Sequence, residues 1–334
     1  MTMLYDVTLR DGNHALKHEL DLKFVREYCA LADKSGVWAI EVGHGNGLGA
    51  SSYLVGQSRH SDFELLSAAR ESLKKTRLAV HSIPGFSTIK KDLVPALNLG
   101  VDVFRVASHV TEANVSAQHI EFLKSRDVNV QGVLMMSHMA STTELLNQCK
   151  LLESYGADAI VLMDSAGHFD PNQVRKRIEL LHEEISVDIG IHAHNNLGVG
   201  VANALAAKEM GATFLDGASM ALGAGAGNAQ LETIVAHLNR SDEGSFDLNQ
   251  FLLMSDLVAK EHKSKLPSIT GDSVASGTAG AFSGYAPEVK RLTLEFSLNA
   301  YEFWQQIGER NLVAGQESQL REIAMEMQER IGFE

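Results

Sequence analysis

The chain has 334 residues, 45% of them hydrophobic, with 29 Lys and Arg against 42 Asp and Glu and a formal charge of -13. That size supports a substantial core in one large domain with an appendage or in two ordinary domains, and the acidic balance leaves no basic stripe for nucleic acid or an anionic membrane. No apolar run approaches the roughly 18 residues of a membrane helix, and two cysteines far apart, Cys29 and Cys149, signal neither a disulfide framework nor a thiolate cluster.

Asp6, Arg10 and Asp11 interrupt the start, where a signal peptide needs an apolar core. The expected location is therefore a reducing cytoplasm, with both thiols buried and free.

Short apolar or β-branched runs alternate with amphipathic stretches of helical period. In chain order the expected pairs begin with strand Leu4–Val7 and helix Leu22–Lys34, Ala39–Val42 and Phe63–Lys74, Leu78–Val80 and Lys90–Leu99, Val103–Val106 and Ser116–Ser125. They continue with Val128–Leu134 and Thr142–Ser154, Ala159–Leu162 and Asn172–Glu184, Ile189–His192 and Gly200–Met210, Phe214–Leu215 and Ala229–Asn239. Gly36, Gly100, Gly156 and Gly211 close several of these helices before the next strand.

Eight such units in roughly 240 residues match a (β/α)8, or TIM, barrel, whereas a doubly wound open sheet has fewer units and a Gly-rich turn after its first strand. The expected class is α/β, with the catalytic barrel over residues 1–240. Asp11, Glu41, His81, Ser108, Asp164, His192 and His194 then all fall at or just past strand C-termini, the end that carries active sites in this fold.

Beyond Arg240 the rhythm stops. Three helix-like stretches, Leu248–Lys263, Thr293–Gln306 and Glu317–Arg330, make residues 241–334 a mainly helical appendage, expected as a lid or partner-docking domain. The small-residue run Gly271–Gly284 between the first two suits either close helix packing or a loop over the barrel mouth.

The chemistry concentrates in Ile189-Gly-Ile-His-Ala-His-Asn-Asn-Leu-Gly198. Strand side chains alternate, so His192 and His194 share a face and can be two ligands of a divalent metal, with Asp11 the obvious third. A structural pairing of the histidines and a turn-capping role for Asp11 are the plainer alternatives. One carboxylate and two imidazoles leave about three octahedral positions open, which suits Mn²⁺, Mg²⁺ or Co²⁺ with a chelating 2-oxo acid. Such a metal withdraws electron density from the ketone while a neighbouring C–C bond breaks.

Arg10 can hold the developing oxyanion, and His14 can take a proton from a substrate hydroxyl. A lysine Schiff base is the other route to aldol cleavage, but no lysine sits in an expected strand. Gly223-Ala-Gly-Ala-Gly227 could offer backbone N–H groups to an anion, with tight turn packing an equal alternative.

Asp6-Val-Thr-Leu-Arg-Asp-Gly-Asn-His-Ala15, Ile40-Glu-Val-Gly-His-Gly45, Leu134-Met-Met-Ser-His138, Met163-Asp-Ser-Ala-Gly167, His192-Ala-His-Asn-Asn-Leu-Gly198 and Gly223-Ala-Gly-Ala-Gly-Asn-Ala229 together resemble the 4-hydroxy-2-oxovalerate aldolases. These are pyruvate-specific class II aldolases among the metal-dependent barrel lyases that include isopropylmalate synthase and hydroxymethylglutaryl-CoA lyase. The likeness continues through Leu312-Val-Ala-Gly-Gln-Glu317.

The resemblance implies a divalent metal, usually Mn²⁺, on Asp11, His192 and His194, with Asn228 as a further ligand in the wider superfamily. It implies substrate contacts from Arg10, Asp11, Ser165 and His192, with His14 as the base and Arg10 stabilising the pyruvate enolate. It also implies pyruvate and an aldehyde as substrates, a homo-oligomer, and an acylating aldehyde dehydrogenase as partner. A Claisen-type acyl-CoA enzyme and a docking subunit for such a dehydrogenase are the alternative readings.

Three departures concern the aldehyde half. Thr278 stands in Gly277-Thr-Ala-Gly280 where the family has a substrate-contacting tyrosine, with Tyr285 nearby; His81-Ser-Ile-Pro-Gly85 replaces a Leu-Leu-Leu-Pro-Gly element; and Asn195 replaces a histidine. Polar residues in that wall, His81 above all, lead us to expect an aldehyde more polar or larger than acetaldehyde.

Overall fold

The computed structural model describes residues 1–241, 246–313 and 315–331. Eight parallel strands, β1 (Met3–Asp6), β2 (Ala39–Glu41), β3 (Arg77–Ser82), β4 (Val103–His109), β5 (Asn129–Met135), β6 (Ala159–Asp164), β7 (Asp188–Ala193) and β8 (Phe214–Gly217), pair in sequence order. Pairing of β8 with β1, Leu215 opposite Leu4, closes the barrel. All eight expected strands are present.

A single turn, α1 (Gly12–Ala15), follows β1, and the outer ring is formed by α2 (Leu22–Ser35), α3 (Asp62–Ser72), α4 (Val94–Asn98), α5 (Ala117–Lys124), α6 (Thr142–Ser154), α7 (Pro171–Glu184), α8 (Gly200–Glu209) and α9 (Leu231–Arg240). Capping sets their limits. Asp21 accepts from the Lys23 N–H to start α2, and Gly36 in the left-handed region, φ 85°, ends it; a reciprocal capping box of Ser61 and Glu64 starts α3.

Strand alternation separates two environments. On β4, Phe104 and Val106 join the apolar layer beneath the helices, while Val103, Arg105 and Ala107 face the barrel interior. On β7, Ile189 and Ile191 face out, so Gly190 and His192 face in. The inner layers of Tyr5, Ala39, Ala79 and Val103 and of Ala107, Val133 and Val161 fill the barrel, and the polar layer of the site rests on them.

Next come α10 (Leu248–His262), α11 (Gly271–Ala279), α12 (Ala286–Phe296), α13 (Ala300–Glu309) and α14 (Glu317–Ile331). Phe251, Met254 and Val258 of α10 belong to the barrel's apolar cluster, whereas a second cluster runs from Ala275 to Met327 around Trp304, Phe303 and Leu320. A division at 240/241 therefore cuts through the first cluster, because α10 packs on α2 and α9.

The expected single helix Thr293–Gln306 is two helices. Ser297 turns left-handed, φ 54°, and Asn299 caps α13 by accepting from Tyr301 and Glu302. The small-residue run forms α11, started by a Thr270–Ser273 capping box and ended at Gly280, φ 66°. Of the Leu312–Glu317 motif, Ala314 lies outside the described residues. Cys29 and Cys149 are buried and free, and no helix among the described residues is long and apolar enough to cross a membrane.

Candidate metal centre and active site

Asp11 follows β1 in a tight turn, His192 ends the inner face of β7, and His194 lies two residues on, so alternation and barrel closure bring one carboxylate and two imidazoles together. Their ligand atoms lie within 4.8 Å of one another, and all three residues are buried. His192 Nδ1 donates to Asp216 at 2.9 Å, and His194 Nδ1 donates to the Asp164 carbonyl at 2.9 Å. Each ring therefore turns its Nε2 to the centre, where His194 Nε2 lies 3.7 Å from Asp11 Oδ2.

The residues fit a metal. Buried His192 Nε2 and Asn228 Oδ1 have no hydrogen-bond partner among the described residues, a condition that costs on the order of 1–3 kcal/mol per group unless a ligand satisfies it. Oxygen and imidazole donors of this kind suit Mn²⁺, Mg²⁺ or Co²⁺.

Asp11 is ionised. Burial by itself would raise its carboxyl, but the Arg10 guanidinium beside it holds it well below the usual range. Arg10 Nη1 donates to it at 2.6 Å and Asn228 Nδ2 at 2.8 Å. The Ala224 N–H also donates to it at 3.3 Å, and a Cβ on Gly223 would lie 2.7 Å from Asp11 Oδ2. The glycine-rich turn thus packs on the ligand set.

Arg10 is 3% exposed. Its Nε donates to Glu41 at 2.5 Å and its Nη1 also reaches the Gly45 carbonyl at 3.3 Å, while Nη2 has no partner among the described residues. Burial works against its charge, but Glu41 and Asp11 outweigh that and raise it.

His14, in α1, is half-buried and lines a cavity of about 510 Å³ between the barrel mouth and the appendage. Burial is the main cause that lowers His14 to about 4, so the ring is neutral at pH 7 and able to accept a proton.

His81, on the inner face of β3, is 2% exposed and lowered to about 3, first by burial and then by Arg10. Its Nδ1 has no partner among the described residues. Ser165 follows β6 and accepts from the Met136 N–H at 3.0 Å.

Thr278 lies apart from the cavity lining. It is exposed, and its hydroxyl donates to the Val274 carbonyl at 2.8 Å within α11. Ser276, two positions earlier and so roughly 200° around the helix, lines the cavity instead. Tyr285 is buried in the second cluster with its hydroxyl donating to the Val313 carbonyl. Neither side chain is among those that line the cavity.

The appendage is tied to the barrel mouth. Asn196 Nδ2 donates to Ser283 Oγ at 2.8 Å and Ser276 Oγ at 3.1 Å, His138 Nε2 to the Gly280 carbonyl at 2.9 Å, and His168 Nδ1 to the Gly277 carbonyl at 2.7 Å. Asp216 escaped the sequence reading because the expected eighth strand stopped at Leu215, one residue short. An arginine inside the apolar run Val103–Val106 was the available signal for Arg105, since a charge mid-strand demands a buried partner.

Residues 2–258 match the HMGL-like family and residues 267–329 the DmpG-like communication domain. A 4-hydroxy-2-oxovalerate aldolase of Pectobacterium atrosepticum is 47% identical over 98% of this chain and 96% of its own length, and one of Spirochaeta aurantia is 46% identical over the same shares. The chain belongs to the 4-hydroxy-2-oxovalerate aldolase family.

Among solved structures, the carboxyl transferase domain of Rhizobium etli pyruvate carboxylase superposes with a TM-score of 0.82 at 16% identity, covering 98% of this chain and 60% of that one. At that identity the likeness concerns the fold, and the family's two matched regions fall on the barrel with α10 and on the second apolar cluster.

Proposed function

We propose that this member of the family is a carbon–carbon lyase that splits the C3–C4 bond of a 4-hydroxy-2-oxo acid into pyruvate and an aldehyde, or forms that bond. The observation that carries the reading is the convergence of Asp11, His192 and His194 beside the unpartnered Nη2 of Arg10, at a cavity walled by neutral His14. A divalent metal on Asp11, His192 and His194, Mn²⁺ by preference with Asn228 in reach, supplies Lewis-acid polarisation of the 2-oxo group.

The protein's own residues do the rest. His14 takes the 4-hydroxyl proton, the C3–C4 electron pair moves into the 2-oxo acid fragment as the aldehyde carbonyl forms, and Arg10 holds the enolate oxygen with a fixed donor. Protonation at C3 then gives pyruvate. Ser165 and His192 are assigned to substrate contact, with His81 toward the aldehyde. The polar element His81-Ser82, with His81 Nδ1 unpartnered among the described residues, supports an aldehyde more polar than acetaldehyde, because an apolar partner leaves that nitrogen unpaired.

The communication-domain match over residues 267–329 supports docking to an acylating aldehyde dehydrogenase. Chelator-stripped protein given 4-hydroxy-2-oxovalerate tests the reading. Pyruvate release restored by Mn²⁺ supports it, and pyruvate release that persists at full rate without metal contradicts it.

A further inference from the structure

Beneath the ligand set lies a buried polar network. Asp216, 2% exposed on the inner face of β8, accepts from His192 Nδ1 at 2.9 Å. The same carboxylate is clamped by the fork of Arg105, through Nη1 to Oδ2 and through Nη2 to Oδ1 at 2.9 Å. Arg105 is fully buried, donates from Nε to Gln131 Oε1 at 2.8 Å, and stands with its guanidinium carbon 3.2 Å from the Tyr5 ring centroid. Tyr5 in turn donates to Glu41 Oε2 at 3.0 Å, and Glu41 Oε1 takes Arg10 Nε.

We propose that Asp216, clamped by Arg105, is a positioning residue that fixes the tautomer of His192. A neutral imidazole carries one ring proton, and whichever nitrogen bears it cannot be a metal ligand. With an acceptor held rigidly at Nδ1, the proton stays there and the Nε2 lone pair faces Asp11 and His194. Arg105 makes this durable, because an unpaired carboxylate in that interior is strongly unfavourable and the two-pronged contact leaves Asp216 one orientation. His194 meets the same need through a backbone carbonyl, so His192 is the ring whose orientation depends on a side chain. The network also joins the metal half of the site to the oxyanion half, through Tyr5 and Glu41 to Arg10.

The effect on metal affinity rests on the metal reading proposed above; the effect on the tautomer does not. The test uses the full chain as wild type, D216N and R105K, with His192 assigned by comparison with H192Q. Long-range ¹⁵N–¹H spectra of metal-free protein should show His192 protonated at Nδ1 in the wild type, and lose or exchange that pattern in D216N. Mn²⁺ titration followed by the paramagnetic signal of the free ion should show roughly 10- to 100-fold weaker binding in D216N and a smaller loss in R105K, which keeps the acceptor but not the fork. If D216N does not fold, R105K alone must move both readouts. An unaltered Nδ1-protonated pattern in a folded variant, with Mn²⁺ affinity within about twofold of wild type, overturns the proposal. A wild type that binds no Mn²⁺ while D216N still shifts the tautomer upholds the positioning role and refutes the metal reading instead.

Discussion

Gly45 lies flat against the ring of His14, so close that a Cβ at this position would sit 2.5 Å from Cε1, Nδ1 and Nε2 of the imidazole. The Gly45 carbonyl also accepts from Arg10 Nη1 at 3.3 Å, so one backbone unit touches both the assigned base and the assigned oxyanion holder. The loop is held from behind by His18 and His44, whose rings stack at 3.6 Å between centroids.

Substituting G45A should therefore push the His14 ring from its position without disturbing a fold whose glycine has no special backbone angle there. A displacement of about 1 Å costs on the order of 100-fold in rate. The expected result is a fall of that size in kcat, with the thermal melting temperature and Mn²⁺ affinity close to wild type, measured by pyruvate release, calorimetry and metal titration.

Arg10 is assigned through the free Nη2, and lysine cannot present an equivalent donor while also bonding Glu41 and Asp11. R10K should lower kcat by roughly 100- to 1,000-fold at saturating metal. Steady-state kinetics decide it, and a variant that loses only KM would remove Arg10 from the bond-breaking step.

His138 links the β5 loop to the end of α11 through the Gly280 carbonyl, and burial, followed by neighbouring charges, lowers it to about 4. Its folded value lies below the unfolded one near 6.5, so the unfolded chain binds the additional proton between those pH values. The contribution to stability is complete above about 6.5 and is lost as pH falls toward 4, at a slope of up to about 1.4 kcal/mol per pH unit. H138Q keeps a donor for Gly280 and does not titrate. Urea unfolding between pH 4.5 and 7.5 should show a shallower acid decline in H138Q than in wild type.

The barrel was legible because a period of two and a period of 3.6 alternate eight times, and because Asp11, His192 and His194 sit where strands end. What stayed hidden depends on three-dimensional packing. A run of Gly, Ala and Ser carries no hydrophobic period, so α11 showed only through contacts such as Asn196 with Ser276 and Ser283. The break at Ser297 rests on a single left-handed residue that is not glycine. Thr278 and Ser276 differ by two positions, and only helical geometry tells which of them faces the cavity.

His81 is buried on the inner face of β3, and its Nδ1 needs a partner that an apolar aldehyde does not provide. H81L should raise kcat/KM for propanal relative to a hydroxylated aldehyde by about tenfold or more. Condensation of pyruvate with an aldehyde panel measures the ratio, and an unchanged ratio would show that His81 does not shape the aldehyde side.

The most direct test of the central claim follows the methyl protons of pyruvate by NMR in D₂O, with Mn²⁺ and no aldehyde, for wild type and D11N. Enzyme-catalysed exchange in wild type, abolished in D11N and on chelation, is the predicted result. Wild-type protein that leaves the methyl protons unexchanged, or D11N that exchanges them equally fast, would contradict enolate formation at Asp11, His192 and His194.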